Sequence, residues 1–252
     1  MVRSEACTRA TDGEGAQVIS KTRMQNLVKE FRVDDVAAGL QEKPDLLQFR
    51  DERGRNWLHL CGSVDVSKKR GLNPKDSVRL ARLLLDRGID INGPAFTEGD
   101  WHATPLWYAV ARGRNIALAK FLLEFGSTPE HCLWAACFYE DPKMVNLLVE
   151  KGAPLEAVAE RETPLLGAVK YSKFKAARML LDAGSNPDFQ DVRGMTALHY
   201  MLKKASDKKH FRMFVERGAR GDIRNAEGDT AAAIMLRKRD PDFHRMAKQL
   251  TG

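Results

Sequence analysis

The segment LLDAGSNPD at 180–188 is echoed by LLDRGIDIN at 84–92, LLEFGSTPE at 122–130, LLVEKGAPLE at 147–156 and FVERGARGD at 214–222. The shared glycines Gly88, Gly126, Gly152, Gly184 and Gly218 stand 38, 26, 32 and 34 residues apart. A second marker recurs beside them: NWLHLC from Asn56, TPLWYA from Thr104, TPLLGA from Thr163, TALHYM from Thr196 and TAAAIM from Thr230. Self-similarity at such a period restricts the chain to a linear array of supersecondary units, each touching only its neighbours.

One unit can be read from residues 163–184. Leu165, Leu166, Ala168 and Val169 predict a short apolar helix, and Phe174, Ala177, Leu180 and Leu181 predict a second at helical spacing. Thr163 suits the N-cap and Pro164 the first helical position, where no donor is needed. Gly184 suits the left-handed residue that ends the second helix. Neither helix is long enough to stand alone, so each pair must bury its apolar side on a neighbour.

The residues TPL at 104–106 and 163–165, DVRGMTALH at 191–199, DERGRNWLH at 51–59 and the LL-x-x-G endings resemble the ankyrin-repeat family, whose period is about 33 with a T-P-L-H-x-A signature. The resemblance implies an all-α ankyrin-repeat solenoid: helix-turn-helix repeats with short β-hairpin or loop fingers, six to seven units including imperfect caps, over 21–252. Residues 1–20 are expected to form a disordered tail. Residues 21–47 read as an irregular first unit, and DPDFHRMAKQL near the end as a closing helix. The interval from Asn56 to Gly88 is 32 where that from Thr163 to Gly184 is 21, which places an insertion at 63–75. Only STPE separates Gly126 from His131, so the fourth unit is expected to lack a projecting finger.

No apolar run approaches the length of a membrane span, and the N-terminal stretch has no secretory h-region, so a soluble cytoplasmic protein with no membrane association is expected. Cys7, Cys61, Cys132 and Cys137 form no C-x-x-C pair. Cys132 and Cys137, a C-x4-C pair beside His131, fall on different faces of a predicted helix, a poor metal geometry. His59 and His199 occupy the signature's histidine position, where a hydrogen bond within the turn is expected. Phosphate-binding, zinc-protease and serine-nucleophile motifs are all missing from the sequence. The chain therefore reads as non-enzymatic, with no cofactor and no metal, and monomeric.

In ankyrin proteins the partner usually lies in the concave groove between the fingers and the inner helices. The matching inner-helix positions here are Ser63 and Val64, Ala111 and Arg112, Phe138 and Tyr139, Lys170 and Tyr171, Lys203 and Lys204, then Arg237 and Lys238. The fingers add Glu52, Arg53 and Arg55, Asp100 and Trp101, Glu160 and Glu162, then Val192, Arg193 and Met195. Aromatic side chains and arginine bury much area with few rotors, so they are the expected anchors. Phe138 either faces the groove or fills the gap left by the short unit. The net charge is +7, and residues 201–220 carry seven cations against Asp207 and Glu216. A protein partner with an acidic segment and apolar anchors is the expected ligand. Alternatives are a nucleic acid on the basic C-terminal half, or a targeting role for this array within an enzyme complex or a secreted effector.

Overall fold

The structure, a computed structural model, describes residues 19–98, 101–159 and 161–251. Helices come in consecutive antiparallel pairs: α1 (Lys21–Lys29) with α2 (Val33–Glu42), α3 (Trp57–Gly62) with α4 (Pro74–Asp86), and α5 (Pro105–Ala111) with α6 (Ile116–Glu124). They continue with α7 (Cys132–Phe138) and α8 (Pro142–Glu150), α9 (Pro164–Lys170) and α10 (Phe174–Asp182), α11 (Ala197–Lys203) and α12 (Lys208–Val215), and α13 (Ala231–Leu236) and α14 (Pro241–Gln249). The first members of the pairs stack on one another as an inner layer, the second members as an outer layer. The expected tail lies outside the described residues over 1–18.

Each inner helix after the first pair is six or seven residues long, too short to persist in water alone. Capping and burial hold them instead. Thr104, Thr163 and Thr230 accept from the backbone N–H three residues on, at 3.2, 3.3 and 3.1 Å, and Pro105 and Pro164 open the first turn. In α9, Pro164 to Val169 are all buried between neighbouring units. Gly184 has φ +96°, which a residue with a β-carbon adopts only at a cost, and the N–H of Ser185 closes the helix on the Leu180 carbonyl at 3.0 Å.

The fingers share one local device. Asp51 Oδ1 accepts from the N–H of Arg53 (3.0 Å) and Arg55 (2.9 Å); Asp191 does the same for Arg193 (2.9 Å) and Met195 (3.0 Å). Asn225 repeats it for Glu227 (3.0 Å) and Asp229 (2.9 Å). The glycine each loop needs in the left-handed region is Gly54, Gly194 or Gly228. The third finger is a two-residue ladder, β1 (Thr97–Glu98) antiparallel to β2 (Trp101–His102), and the fifth is the single bridge Ala159 to Glu162.

The fourth unit has no finger. Glu124 ends α6 and Cys132 begins α7, while the short connection is held by Asn92, whose Oδ1 accepts from the Thr128 N–H (3.0 Å) and the Ser127 hydroxyl (3.1 Å). The long connection between α3 and α4 is a polar loop in which Asp65 accepts from the Ser67 N–H (3.0 Å) and pairs with Lys68 (3.3 Å).

Two positions depart from the sequence reading. Val64 and Ala111, expected at the open end of inner helices, are buried. Gly113 lies so close to the backbone of the preceding unit that a β-carbon on it would sit 2.2 Å from the Gly62 carbonyl and 3.1 Å from that of Val64.

Candidate functional site

The face formed by the inner helices and the fingers carries an aromatic cluster in its middle. Trp134 on α7 stacks on Phe138 with ring centroids 5.4 Å apart, and Tyr171 meets both rings edge-on, at 6.0 and 5.0 Å. Tyr139 meets the Phe138 ring edge-on at 5.3 Å. Phe138 is half-buried within this cluster, while Tyr139 (39%) and Tyr171 (47%) remain exposed. Their geometry is T-shaped, the arrangement favoured by ring quadrupoles.

A glycine makes room for it. A β-carbon on Gly167 of α9 would sit 2.6 Å from the Trp134 Nε1, so only glycine lets the indole lie across that helix. The indole N–H then donates to Glu162 Oε1 at 3.1 Å. The Glu162 carboxylate, 2% exposed, also pairs with the Lys170 ammonium. Lys170 in turn stands 5.3 Å from the Tyr200 ring centroid, and the Tyr200 hydroxyl donates to Asp191. Burial, reinforced by that bond, pushes the Tyr200 phenol up to about 12. Burial opposes ionisation of Asp191 too, yet the Tyr200 hydroxyl and two backbone N–H groups hold it below the usual carboxylate range. A polar chain thus ties α7, the fifth finger, α9, α11 and the sixth finger into one surface.

The sequence-derived residues fall into distinct roles around it. Arg112 and Arg114 lie over aromatic rings, Arg112 on Trp107 (5.8 Å) and Arg114 on Tyr139 (5.9 Å). Arg53 and Arg193 are exposed on fingers, while Arg55 is paired with Asp51 at 2.7 Å. Lys170 is turned onto Glu162, and the Lys204 ammonium donates to the Lys170 carbonyl and, at 3.2 Å, to the Ser172 hydroxyl. Met195 is half-buried and Lys203 exposed, and with Arg193 they border one depression of about 460 Å³. Arg237 pairs with Asp229, and Lys238 lies 5.3 Å from the Phe243 ring. Asp100, Glu160 and the Trp101 side chain lie outside the described residues.

The basic run at 201–220 is largely neutralised on the outer layer. Lys208 binds Asp240 (2.8 Å) and Asp242 (2.6 Å), Arg220 binds Asp222 (2.9 Å), Lys209 reaches Asp207 (3.4 Å) and Arg217 pairs with Asp182. Lys203 faces the groove with no carboxylate in ion-pair reach among the described residues.

His59 and His199 are bonded within their units, and Cys61, Cys132 and Cys137 are buried. His59 Nδ1 accepts from the Asn56 N–H (3.2 Å) and its Nε2–H donates to the Ala103 carbonyl of the next finger (3.2 Å). His199 repeats the pair with the Thr196 N–H and the Asp229 carbonyl, both at 3.2 Å. Burial brings His59 down to about 4, so it is neutral. Burial likewise raises the Cys61 and Cys132 thiols and takes Cys137 to about 12, far from a reactive thiolate. Among the described residues no group of three or more His, Cys, Asp and Glu could hold a metal ion, and no helix is long and apolar enough to cross a membrane.

Two members of this face were missed by sequence reasoning. Trp134 is four residues before Phe138 and Tyr200 four before Lys204, so each shares a helix face with a residue the sequence did single out. Glu162 is a finger position in the sequence, but its pairing with Trp134 and Lys170 could not be read there, because those partners come from two separate helices.

A family model for ankyrin repeats, in three copies, matches residues 132–225. The ankyrin repeat domain of Bcl-3, a member of the IkappaB protein family, superposes with a TM-score of 0.69 over 89% of this chain and 97% of that one, at 20% identity. The chain has the ankyrin-repeat fold, with ankyrin repeats matched over 132–225. The ankyrin repeat domain of human ASB11 agrees with this array at a TM-score of 0.66 over 91% of the chain and 97% of the domain, again at 20% identity. Among curated proteins the array is 29% identical over 140 residues to the phosphocholine transferase AnkX of Legionella pneumophila. That match takes in 51% of the chain and 14% of the transferase, so the chain spans a small part of that relative's length. Ankyrin repeats are general protein–protein interaction domains, and the fold is typically non-catalytic.

Proposed function

We propose that this protein is a non-catalytic adaptor of the cytoplasm that holds an acidic, apolar-anchored segment of a protein partner in the concave groove of its array. The observation that carries this reading is the exposed pair Tyr139 and Tyr171, supported by Phe138 and Trp134 and flanked by Arg114, which among the described residues has no carboxylate in ion-pair reach. Rigid aromatic groups on a preorganised surface give up little conformational freedom on binding. Arg114 resting on the Tyr139 ring and the free Lys203 keep their charge available to an anionic partner, which speeds encounter more than it raises affinity. The groove residues in this reading are Arg53, Trp101, Arg112, Tyr139, Tyr171, Arg193, Met195, Lys203 and Lys204, with Arg55, Phe138, Lys170, Arg237 and Lys238 fixing their surroundings.

The match to a short part of AnkX favours a second reading, in which such an array serves a catalytic part carried elsewhere. Nucleic acid is disfavoured by the paired state of Lys208, Lys209, Arg217 and Arg220. Affinity capture from lysate with wild type and with Tyr139→Ala/Tyr171→Ala/Lys203→Glu, both checked by circular dichroism, tests the groove. A protein retained by wild type and lost by the variant supports it; equal capture by both rejects it.

A further inference from the structure

The depression of about 460 Å³ lies at the C-terminal end of the groove, where α11 and α13 meet the last two fingers. Its floor is apolar, from Met195, Leu202 and Ile234. Its walls are fixed: the Ala226 N–H donates to the Arg193 carbonyl at 2.9 Å, and the Gln190 amide donates to the carbonyls of Gly194 and Arg224, each at 2.9 Å. A pre-formed concavity of this size accepts a side chain and its flanking backbone without rearrangement.

Its charges are unevenly shared. Arg193 and Lys203 both line the depression and are exposed, and among the described residues neither has a carboxylate within ion-pair distance. Of the lining carboxylates, Asp229 is taken by Arg237, while Glu227 follows Ala226, whose N–H donates to the Arg193 carbonyl. Burial lowers the His199 pKa, and its Nε2–H donates to the Asp229 carbonyl. Arg193 and Lys203 are in contact with solvent, so a small free anion would be held only weakly there. The apolar floor requires an apolar group on the ligand as well.

We propose that this depression takes one apolar side chain of a protein partner, with an Asp or Glu of the same segment held by Arg193 or Lys203. The proposal rests on the groove reading above and adds to it a subsite with a stated preference.

A random peptide library displayed and selected on the wild-type protein, followed by fluorescence anisotropy of the enriched peptides, tests it. The expected motif is an acidic residue close to a large apolar one. Arg193→Glu/Lys203→Glu lowers affinity by roughly tenfold or more, the equivalent of about 1.4 kcal/mol, and replacing the acidic peptide residue by Lys restores binding to that variant. Met195→Glu abolishes binding to wild-type-selected peptides. If enriched peptides bind the double charge reversal unchanged but lose affinity on Tyr139→Ala/Tyr171→Ala, the subsite is wrong and the groove stands. If no peptide is enriched, the subsite is rejected, and lysate capture decides the groove separately.

Discussion

The indole N–H of Trp134 donates to the buried carboxylate of Glu162 at 3.1 Å, joining an inner helix to the finger of the following unit. Glu162 also holds the Lys170 ammonium, so one side chain satisfies donors from two inner helices beneath the exposed tyrosines. A buried carboxylate is tolerated only when it is paired and hydrogen-bonded, and here it is both.

Removal of that carboxylate leaves the Trp134 N–H and the Lys170 ammonium without their acceptor. Glu162→Ala is expected to lower stability by about 1–3 kcal/mol. In a double-mutant cycle in urea, Glu162→Ala and Lys170→Met show a coupling beyond about 0.5 kcal/mol. Additive effects would mean that the pair stabilises nothing.

Gly167→Ala places a methyl group 2.6 Å from the Trp134 Nε1 as the chain stands. The indole must move, at an expected cost of about 1–3 kcal/mol. The penalty shrinks in a Trp134→Phe background, where the clashing nitrogen is gone. An equal penalty in both backgrounds would place the strain elsewhere.

Burial lowers His59 from its ordinary 6.5 to about 4, and lowers His199 and His210 in the same direction. Between about pH 4 and 6.5 the unfolded chain therefore binds more protons than the folded one, and stability rises with pH through that window. The contribution is complete above pH 6.5 and lost as pH falls toward 4. From the His59 shift it amounts to about 3 kcal/mol at most. The carboxylates held low, Asp51, Asp65 and Asp191, titrate below this window. Urea midpoints across the window should flatten in His59→Gln, which keeps an acceptor for the Asn56 N–H; an unchanged slope contradicts the assignment.

Cys61, Cys132 and Cys137 are buried as protonated thiols. Their alkylation by iodoacetamide should be negligible in the native protein and appear along the urea transition, read by mass spectrometry peptide by peptide. Rapid native labelling of Cys132 or Cys137 would show that the fourth unit opens locally.

Where sequence and structure agree, the cause is local chemistry. Thr163 caps, Pro164 starts and Gly184 ends their helices because those roles involve a few residues on either side, and the STPE connection is too short to build a finger. What escaped the sequence is long-range. Lys208 meets Asp240 and Asp242, and Arg217 meets Asp182, so the basic run loses its excess to carboxylates more than thirty residues away. Val64 and Ala111 are buried, and the close approach of Gly113 to the Gly62 and Val64 carbonyls is a contact that no periodicity encodes. The Trp134, Glu162 and Lys170 cluster required knowing that α7 and α9 stack.

The central claim is that the partner lies on the inner-helix face. A photoreactive phenylalanine placed in turn at Tyr139, Tyr171 and Arg193, and at the exposed outer-layer positions Lys120 and Arg178, tests it most directly in cell lysate. The account predicts one cross-linked protein common to the three inner-face positions and missing from the two outer ones. Cross-linking of that protein from Lys120 or Arg178, with none from Tyr139 or Tyr171, would contradict it.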